Sequence, residues 1–293
     1  MFPSLLLLLS LLSPSGAPPG QTLDWTEHPL IAHALGGVEG ADRTNSREAL
    51  ETNYALGFRV FETDLMLTTD EHLVARHDWE KKLFVEFGQV GFTGALKDWN
   101  PLSLEDFKRL PILNRYEGLE WKDLLEFMVQ HPDVYYVLDT KFTDERTIKR
   151  QFKLLTEEAE RIDPALLNRI VPQLYHQQML GTVDSIHRFS SYIYTLYQSK
   201  DTNGQVVEFL RRNPRVKAAA MPPSRAKKDF IDSLKKLGVR TYVHTINDYS
   251  TYLKLRQTGV SGVYTDFLSY AQVLKGLKGS WTAAPPLPPD SES

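Results

Sequence analysis

Nine β-rich runs alternate with helical stretches along this chain, and two of those runs stand too close together to be parallel neighbours. The strand candidates are Leu30–His33, Phe58–Leu67, His72–His77, Val134–Lys141, Arg169–Leu174, Tyr192–Leu196, Val216–Ala220, Val239–Thr245 and Gly262–Thr265. Helical patterns lie between most of them: Ser46–Leu56, stopped by Gly57, then Leu119–Gln130, Asp144–Arg161, Gln177–Arg188, Gly204–Arg212, Lys227–Leu237 and Tyr249–Gln257. Such alternation predicts parallel strands joined by helical crossovers. Only four residues, Thr68–Glu71, separate Leu67 from His72, whereas a parallel crossover needs about a dozen or more. The run His72–His77 must therefore turn back antiparallel, around Asp70-Glu71. Setting it aside leaves eight strands, the count of an α/β, (β/α)8 TIM barrel with an extra hairpin strand. An open doubly wound sheet is the alternative, but no Gly-rich phosphate loop supports a nucleotide-binding version of it.

The 293 residues suffice for one large barrel without a second domain. That barrel is expected over residues 28–278. Residues 79–118 form an insertion after the hairpin, irregular in pattern and rich in aromatics (Trp79, Phe84, Phe87, Phe92, Trp99). Its place suits either a cover over one barrel end, reaching the substrate, or a packed excursion that makes no ligand contact. The apolar run Leu5–Leu12, followed by small residues and proline, is too short to span a bilayer and suits a signal peptide over residues 1–20. It predicts export, to the medium or a periplasm. The proline-rich, polar end over residues 280–293 reads as a disordered tail. A net charge of −3 with no basic run argues against nucleic acid as a partner, and nothing in the pattern implies a protein partner. The chain has no cysteine, which removes disulfides, thiol catalysis and thiolate metal sites.

Barrel active sites sit at the C-terminal ends of the strands, and titratable residues collect there. His33 ends the first run, Glu62 and Asp64 come late in the second, and Asp139 and Lys141 close Val134–Lys141. Residues two apart on a strand share a face, so Glu62 pairs with Asp64 and Asp139 with Lys141. A turn at Asp70-Glu71 would set Leu67 against Val74 and His77 against Asp64. A lone strand-end histidine is more often structural, and a lone Glu-x-Asp is more often a solvated face. Strands, however, are depleted in acidic residues, and buried charge is costly unless paired or bound to a metal. Three carboxylates without a thiolate make an oxygen site for one divalent cation, Mg²⁺ or Ca²⁺. Two histidines beside it suit phosphoryl chemistry, one taking a proton and the other giving one. The cation and Lys141 would stabilise charge on the phosphoryl oxygens. Gln173 and Tyr175 are further pocket candidates; Asp266 reads rather as a turn cap.

These residues resemble the glycerophosphodiester phosphodiesterase family, of the PLC-like phosphodiesterase superfamily, from about Ile31 to Phe267. The resemblance is carried by IAHALGG, TNSREAL and GFRVFETDLMLTTDEHLVARHDW, then VYYVLDTKF, YVHTIND and GVYTD, in that order. It implies a TIM barrel in which His33 and His77 are the acid–base pair, Glu62, Asp64 and Asp139 hold the metal, and Lys141 contacts phosphate. It also implies attack by a hydroxyl of the substrate on its own phosphorus, through a cyclic phosphate. This sequence departs from the family pattern in three places. Ala34 stands where an arginine commonly follows the first histidine, so that phosphate contact is either missing or supplied elsewhere, with Arg43 and Arg76 as candidates. Asp139 replaces the commoner glutamate, and His244 a common tryptophan, turning an aromatic wall into a hydrogen-bonding one.

Three functions follow. The first is hydrolysis of glycerophosphodiesters or related phospholipid-derived diesters. The second is phospholipase C- or D-like action on intact lipid, with membrane-surface contact if the aromatics of the insertion are exposed together. The third is a non-catalytic binding barrel.

Overall fold

The computed structural model describes residues 23–90 and 101–276. The predicted signal peptide, the tail, and Phe92 and Trp99 of the insertion lie outside the described residues. Nine strands are described: β1 (Leu30–Ala32), β2 (Val60–Leu67), β3 (Leu73–Ala75), β4 (Tyr135–Asp139), β5 (Ile170–Leu174), β6 (Tyr192–Thr195), β7 (Val216–Met221), β8 (Arg240–Val243) and β9 (Gly262–Thr265). Eight of them are parallel and close on themselves in the order β1-β9-β8-β7-β6-β5-β4-β2, with β2 returning to β1 at Phe61 and Ala32. The ninth, β3, pairs antiparallel with β2 outside the ring. The chain is thus the predicted TIM barrel with one extra hairpin strand.

The helices arise where capping residues precede amphipathic runs. Helix α1 (Arg47–Ala55) starts at Ser46, whose hydroxyl accepts from the Ala49 N–H, and ends before Gly57, whose φ of 95° takes the left-handed turn. Two short helices, α2 (Lys81–Glu86) and α3 (Leu104–Arg109), lie inside the expected insertion. Beyond them come α4 (Trp121–Gln130), α5 (Glu145–Ile162), α6 (Gln177–Asp184), α7 (Asn203–Arg212), α8 (Lys228–Lys236), α9 (Tyr249–Gln257) and α10 (Tyr270–Gly276). Asp144, Thr202 and Asp248 cap α5, α7 and α9 by accepting from backbone N–H groups. No described helix is long and apolar enough to cross a membrane.

Two cores follow from the period-two alternation of the strands. One face of each strand packs outward on the helices, as Phe61, Leu65, Tyr136, Leu138, Ile170 and Tyr192 do. The other face fills the barrel with Ile31, Val60, Val137, Val171, Ile193, Ala218, Ala220, Tyr242 and Tyr264. Trp25, just before β1, joins that interior cluster, stacks on Tyr242 at 6.1 Å and donates its indole N–H to Ser191 Oγ at 2.9 Å. It plugs the end of the barrel where the strands begin.

The hairpin register differs by one residue from the expected one. Leu67 pairs with Leu73 and Met66 with Val74, so Arg76, whose N–H donates to the Asp64 carbonyl, stands opposite Asp64 in place of His77. The loop holds three residues, Thr69–Glu71, rather than two. Thr68 donates to the His72 carbonyl across it, and Glu71 takes the left-handed conformation at φ 66°. A three-residue turn closed by a left-handed residue is a common hairpin alternative, and glutamate at that position gives no sequence signal for it.

Of the two readings of the insertion, its described part fits the packed excursion. Trp79, Phe84 and Phe107 pack with Leu102 and Leu110 against Met66 and Val74 of the hairpin. Trp79, Phe84 and Phe87 are all buried. The described part of the insertion therefore braces the hairpin from outside.

Candidate active site

The strand residues that fill the barrel lead directly to a cluster of polar ones. Ile31, Val60, Val137, Val171, Ile193, Tyr242 and Tyr264 point inward. Two residues further along each strand come His33, Glu62, Asp139, Gln173, Thr195, His244 and Asp266. The alternation that builds the core thus carries these side chains to its C-terminal mouth. Asp64, two beyond Glu62, continues the same face. A cleft of about 350 Å³ opens there, lined by His33, Glu62, His77, Asp139, Lys141, Gln173, Thr195, Tyr197, Gln198, His244, Thr245 and Tyr264.

At its floor the carboxylates of Glu62, Asp64 and Asp139 are all buried and offer oxygens within 4.8 Å of one another. Each is held from behind. Glu62 Oε2 accepts the Ala34 N–H at 2.7 Å. Asp64 Oδ2 accepts the Asn45 side-chain amide at 2.8 Å, while Asn45 Oδ1 accepts from Thr63 Oγ1 and from the Asp64 N–H. Asp139 Oδ1 accepts from the Tyr175 hydroxyl and from the Lys141 N–H at 3.1 Å. Lys141 Nζ sits between two of them, 2.5 Å from Asp64 Oδ1 and 2.7 Å from Asp139 Oδ2.

Three carboxylates share that single ammonium, and the electrostatics show the imbalance. Burial, together with the Asp64 charge, pushes the Glu62 carboxyl well above the usual range. Burial would raise Asp64 too, but the Lys141 ammonium holds it below its ordinary value. Lys141 is held far above the ordinary lysine range, because the charges of Asp64, Asp139 and Glu62 outweigh its own burial. A buried oxygen donor set with excess negative charge fits a hard divalent cation. Glu62, Asp64 and Asp139 are the residues that can hold one.

Both histidines are backed by carboxylates. His33 Nδ1 donates to Asp266 Oδ1 at 2.8 Å, and Asp266 Oδ2 in turn accepts from Asn247 Nδ2 at 2.7 Å. Burial acts to lower the His33 pKa, but the Asp266 hydrogen bond and the charges on Glu62, Asp266 and Asp64 raise it to about 9. His77 Nδ1 donates to Asp78 Oδ2 at 2.7 Å. Each pairing leaves the opposite ring nitrogen, Nε2, as the one available for proton exchange.

The remaining predicted residues divide. Gln173, buried at the cleft floor, is within 3.4 Å of the Tyr264 hydroxyl. His244 lines the wall between Tyr197 and Tyr264. Burial lowers its pKa to about 4, which keeps the ring neutral. Tyr175 is fully buried behind Asp139 and does not line the cleft. Neither arginine considered as a replacement at Ala34 reaches the cleft. Arg43 pairs with Asp42 and Glu86, and Arg76 is buried beside Trp79, Phe84 and Phe87. Asp266 reads in the sequence as a turn cap ahead of a substrate contact, and Asp78, Asn45 and Tyr197 are not among the site residues the sequence predicts. Their signals were the strand-end position of GVYTD, the residue after His77, the TNSREAL motif, and an aromatic just past β6.

An eight-stranded parallel barrel with buried carboxylates and two carboxylate-backed histidines at its C-terminal mouth is an α/β enzyme scaffold. Residues 37–269 match the model of the glycerophosphoryl diester phosphodiesterase family. The chain belongs to that family, and it is a glycerophosphodiester phosphodiesterase-like hydrolase. The match begins after His33, so that residue's place rests on the geometry described above. A glycerophosphodiester phosphodiesterase from Parabacteroides distasonis superposes with a TM-score of 0.67 at 17% identity, covering 85% of this chain and 97% of that one. The enzyme from Thermotoga maritima gives 0.60 at 18% identity, again over 85% and 97%. A phosphodiesterase from Oleispira antarctica, in complex with the product sn-glycerol-3-phosphate, gives 0.64 at 19% identity over 86% and 97%. At these identities the likeness is one of fold.

Proposed function

We propose that this chain hydrolyses a glycerophosphodiester, or a related phospholipid-derived phosphodiester, with His33 and His77 as its acid–base pair. The observation that carries this reading is that two carboxylate-backed histidines share one cleft with Glu62 and Asp139, and that Asp64 lies buried beside those two carboxylates. One imidazole accepts the proton of the attacking hydroxyl at Nε2. The other returns a proton to the leaving oxygen. Asp266 and Asp78 keep each ring in the tautomer that makes this possible. Glu62, Asp64 and Asp139 hold one divalent cation, Mg²⁺ or Ca²⁺, which supplies charge stabilisation to the phosphoryl oxygens when bound. Lys141, Gln173 and His244 complete the substrate contacts, Lys141 supplying positive charge in a cleft whose Ala34 offers none. Because His244 is neutral and polar, it favours a hydroxylated alcohol over an alkyl chain at that wall.

A glycerol hydroxyl held in line with phosphorus provides an internal nucleophile and leads through a cyclic phosphate. The product bound by the Oleispira antarctica phosphodiesterase fits a substrate of this class. The burial of Trp79, Phe84 and Phe87 weakens the reading on intact lipid, which would then rest on Phe92 and Trp99, outside the described residues. The leader over residues 1–20 is proposed to direct export, which N-terminal sequencing of protein from the culture medium tests.

The deciding experiment is a panel of soluble glycerophosphodiesters, lysolipids and intact phospholipids, with products identified by ³¹P NMR. Turnover of the soluble diesters, with a cyclic or glycerol phosphate released, is expected. Turnover confined to intact lipid contradicts the substrate assignment.

A further inference from the structure

Arg76 is 2% exposed, and its guanidinium lies over three aromatic rings: Phe84 at 4.3 Å, Trp79 at 4.9 Å and Phe87 at 5.9 Å. Burial lowers its pKa only to about 10, so it stays charged at neutral pH. Among the described residues no carboxylate oxygen lies within 4 Å of it, and its Nη2 has no hydrogen-bond partner. A buried guanidinium without an ion pair is costly, even with cation–π compensation. A core position in an aromatic box would be better filled by methionine or leucine if packing were the only requirement.

What arginine adds here is a fixed donor. Its Nε donates to the Asp78 carbonyl at 2.7 Å, and its Nη1 donates to Gln89 Oε1 at 3.1 Å. Gln89 is itself buried, and its amide reaches the Leu110 carbonyl at 3.4 Å. The insertion thereby holds the guanidinium, and the guanidinium holds the Asp78 backbone. Asp78 is also fixed from its other side by the Glu80 N–H, which donates to Oδ1 at 2.7 Å. Its remaining oxygen, Oδ2, accepts from His77 Nδ1.

We infer that Arg76 is a positioning residue that acts through Asp78 to fix the orientation and tautomer of the His77 ring, coupling the aromatic insertion to the cleft. The inference rests on the acid–base role proposed for His77. It explains why β3 stops at Ala75: once Arg76 turns into the aromatic box, His77 is free to face the cleft from beyond the hairpin.

The test compares wild type, Arg76→Met, Arg76→Lys, Asp78→Asn and the Arg76→Met/Asp78→Asn double variant in the full chain. Steady-state kinetics on a soluble glycerophosphodiester is one readout. The other is the downfield Nδ1–H proton signal of His77 by NMR, which needs no substrate. Arg76→Met should keep the far-UV CD spectrum, lower kcat on the order of tenfold to a hundredfold with KM nearly unchanged, and broaden or lose that signal. In the Asp78→Asn background the same change should cost less than about twofold more, because both act on one ring. Arg76→Lys, which keeps the charge in the box but cannot donate at the Nε position, should resemble Arg76→Met, and it decides the matter if the methionine variant does not fold. Wild-type kcat with an intact His77 signal in either folded variant overturns the inference, as does full additivity with Asp78→Asn. Full activity of His77→Ala would instead overturn the acid–base assignment, whereas an inactive His77→Ala beside a fully active Arg76→Met removes only the role of Arg76.

Discussion

His33 and Asp266, which end the first and last strands of the barrel, meet at 2.8 Å across the seam where the sheet closes. Barrel closure itself thus assembles half of the candidate acid–base machinery, because β1 and β9 pair in register at Ala32 and Thr265, one residue before each of the two. The same seam carries the Gly37 N–H to the Asp266 carbonyl at 2.8 Å.

Replacing Asp266 by Asn removes the charge that helps raise His33 to about 9 and can present the wrong hydrogen-bonding atom to Nδ1. A loss of kcat on the order of a hundredfold or more is expected. The alkaline limb of the pH–rate profile should also move to lower pH, since the imidazolium loses a stabilising partner. A variant with the wild-type profile would show that Asp266 only caps its turn.

Gly37 offers a second way to disturb this pair. A Cβ built there would lie 2.3 Å from the Phe267 ring and 2.7 Å from the Asp266 carbonyl oxygen. The exposed ring can swing aside, but the backbone oxygen cannot without moving Asp266. Gly37→Ala should therefore reduce activity more than its stability cost of about 1–3 kcal/mol implies. Thermal melts beside kinetics will show whether the two effects separate.

Removal of divalent cations should abolish turnover, and Mg²⁺ or Ca²⁺ should restore it. The physical reason is that three buried carboxylates crowd together while the Lys141 ammonium pairs with only two of them, Asp64 and Asp139. Titration calorimetry on wild type and on Asp64→Asn measures the binding directly. Undiminished turnover after exhaustive chelation would show that catalysis requires no metal at this cluster.

Stability should fall on acidification through a residue far from the cleft. His28, buried against the Tyr270 hydroxyl, has its pKa lowered from 6.5 to about 4 by burial and the Arg59 charge. The folded state therefore favours the neutral ring, and the unfolded chain binds its proton first. That contribution is fully present above pH 6.5 and is lost as pH falls towards 4, by about 3 kcal/mol at most. Denaturant melts of wild type and His28→Gln across that range should converge at low pH. Parallel curves would exclude His28 as the source.

Much of this was legible before any coordinates. The four-residue gap before His72 identified the strand outside the barrel, and the strand-end positions of Glu62, Asp64, Asp139 and His33 placed them at one mouth. Local patterns have period two along a strand, so they state which face a residue takes and where it lies along the axis. They say much less about what happens past a strand end. His77 reaches the cleft after β3 has stopped, and the expected opposition to Asp64 belongs to Arg76. Tyr175 continues the inward face of Gln173 but one level higher, where it meets Asp139 in place of a ligand. Asp266 follows the last strand, a position that suits a turn cap, and its Asn247 contacts are indeed those of a turn. Its second carboxylate oxygen acquires its role only when the barrel closes on His33.

The most direct measurement is turnover of a soluble glycerophosphodiester by purified wild type, His33→Ala and His77→Ala, each checked by circular dichroism for an intact barrel. Robust hydrolysis by wild type, and a loss of at least about a thousandfold in both folded variants, is the predicted result. Activity near wild type in either variant would contradict a two-histidine active site in this cleft.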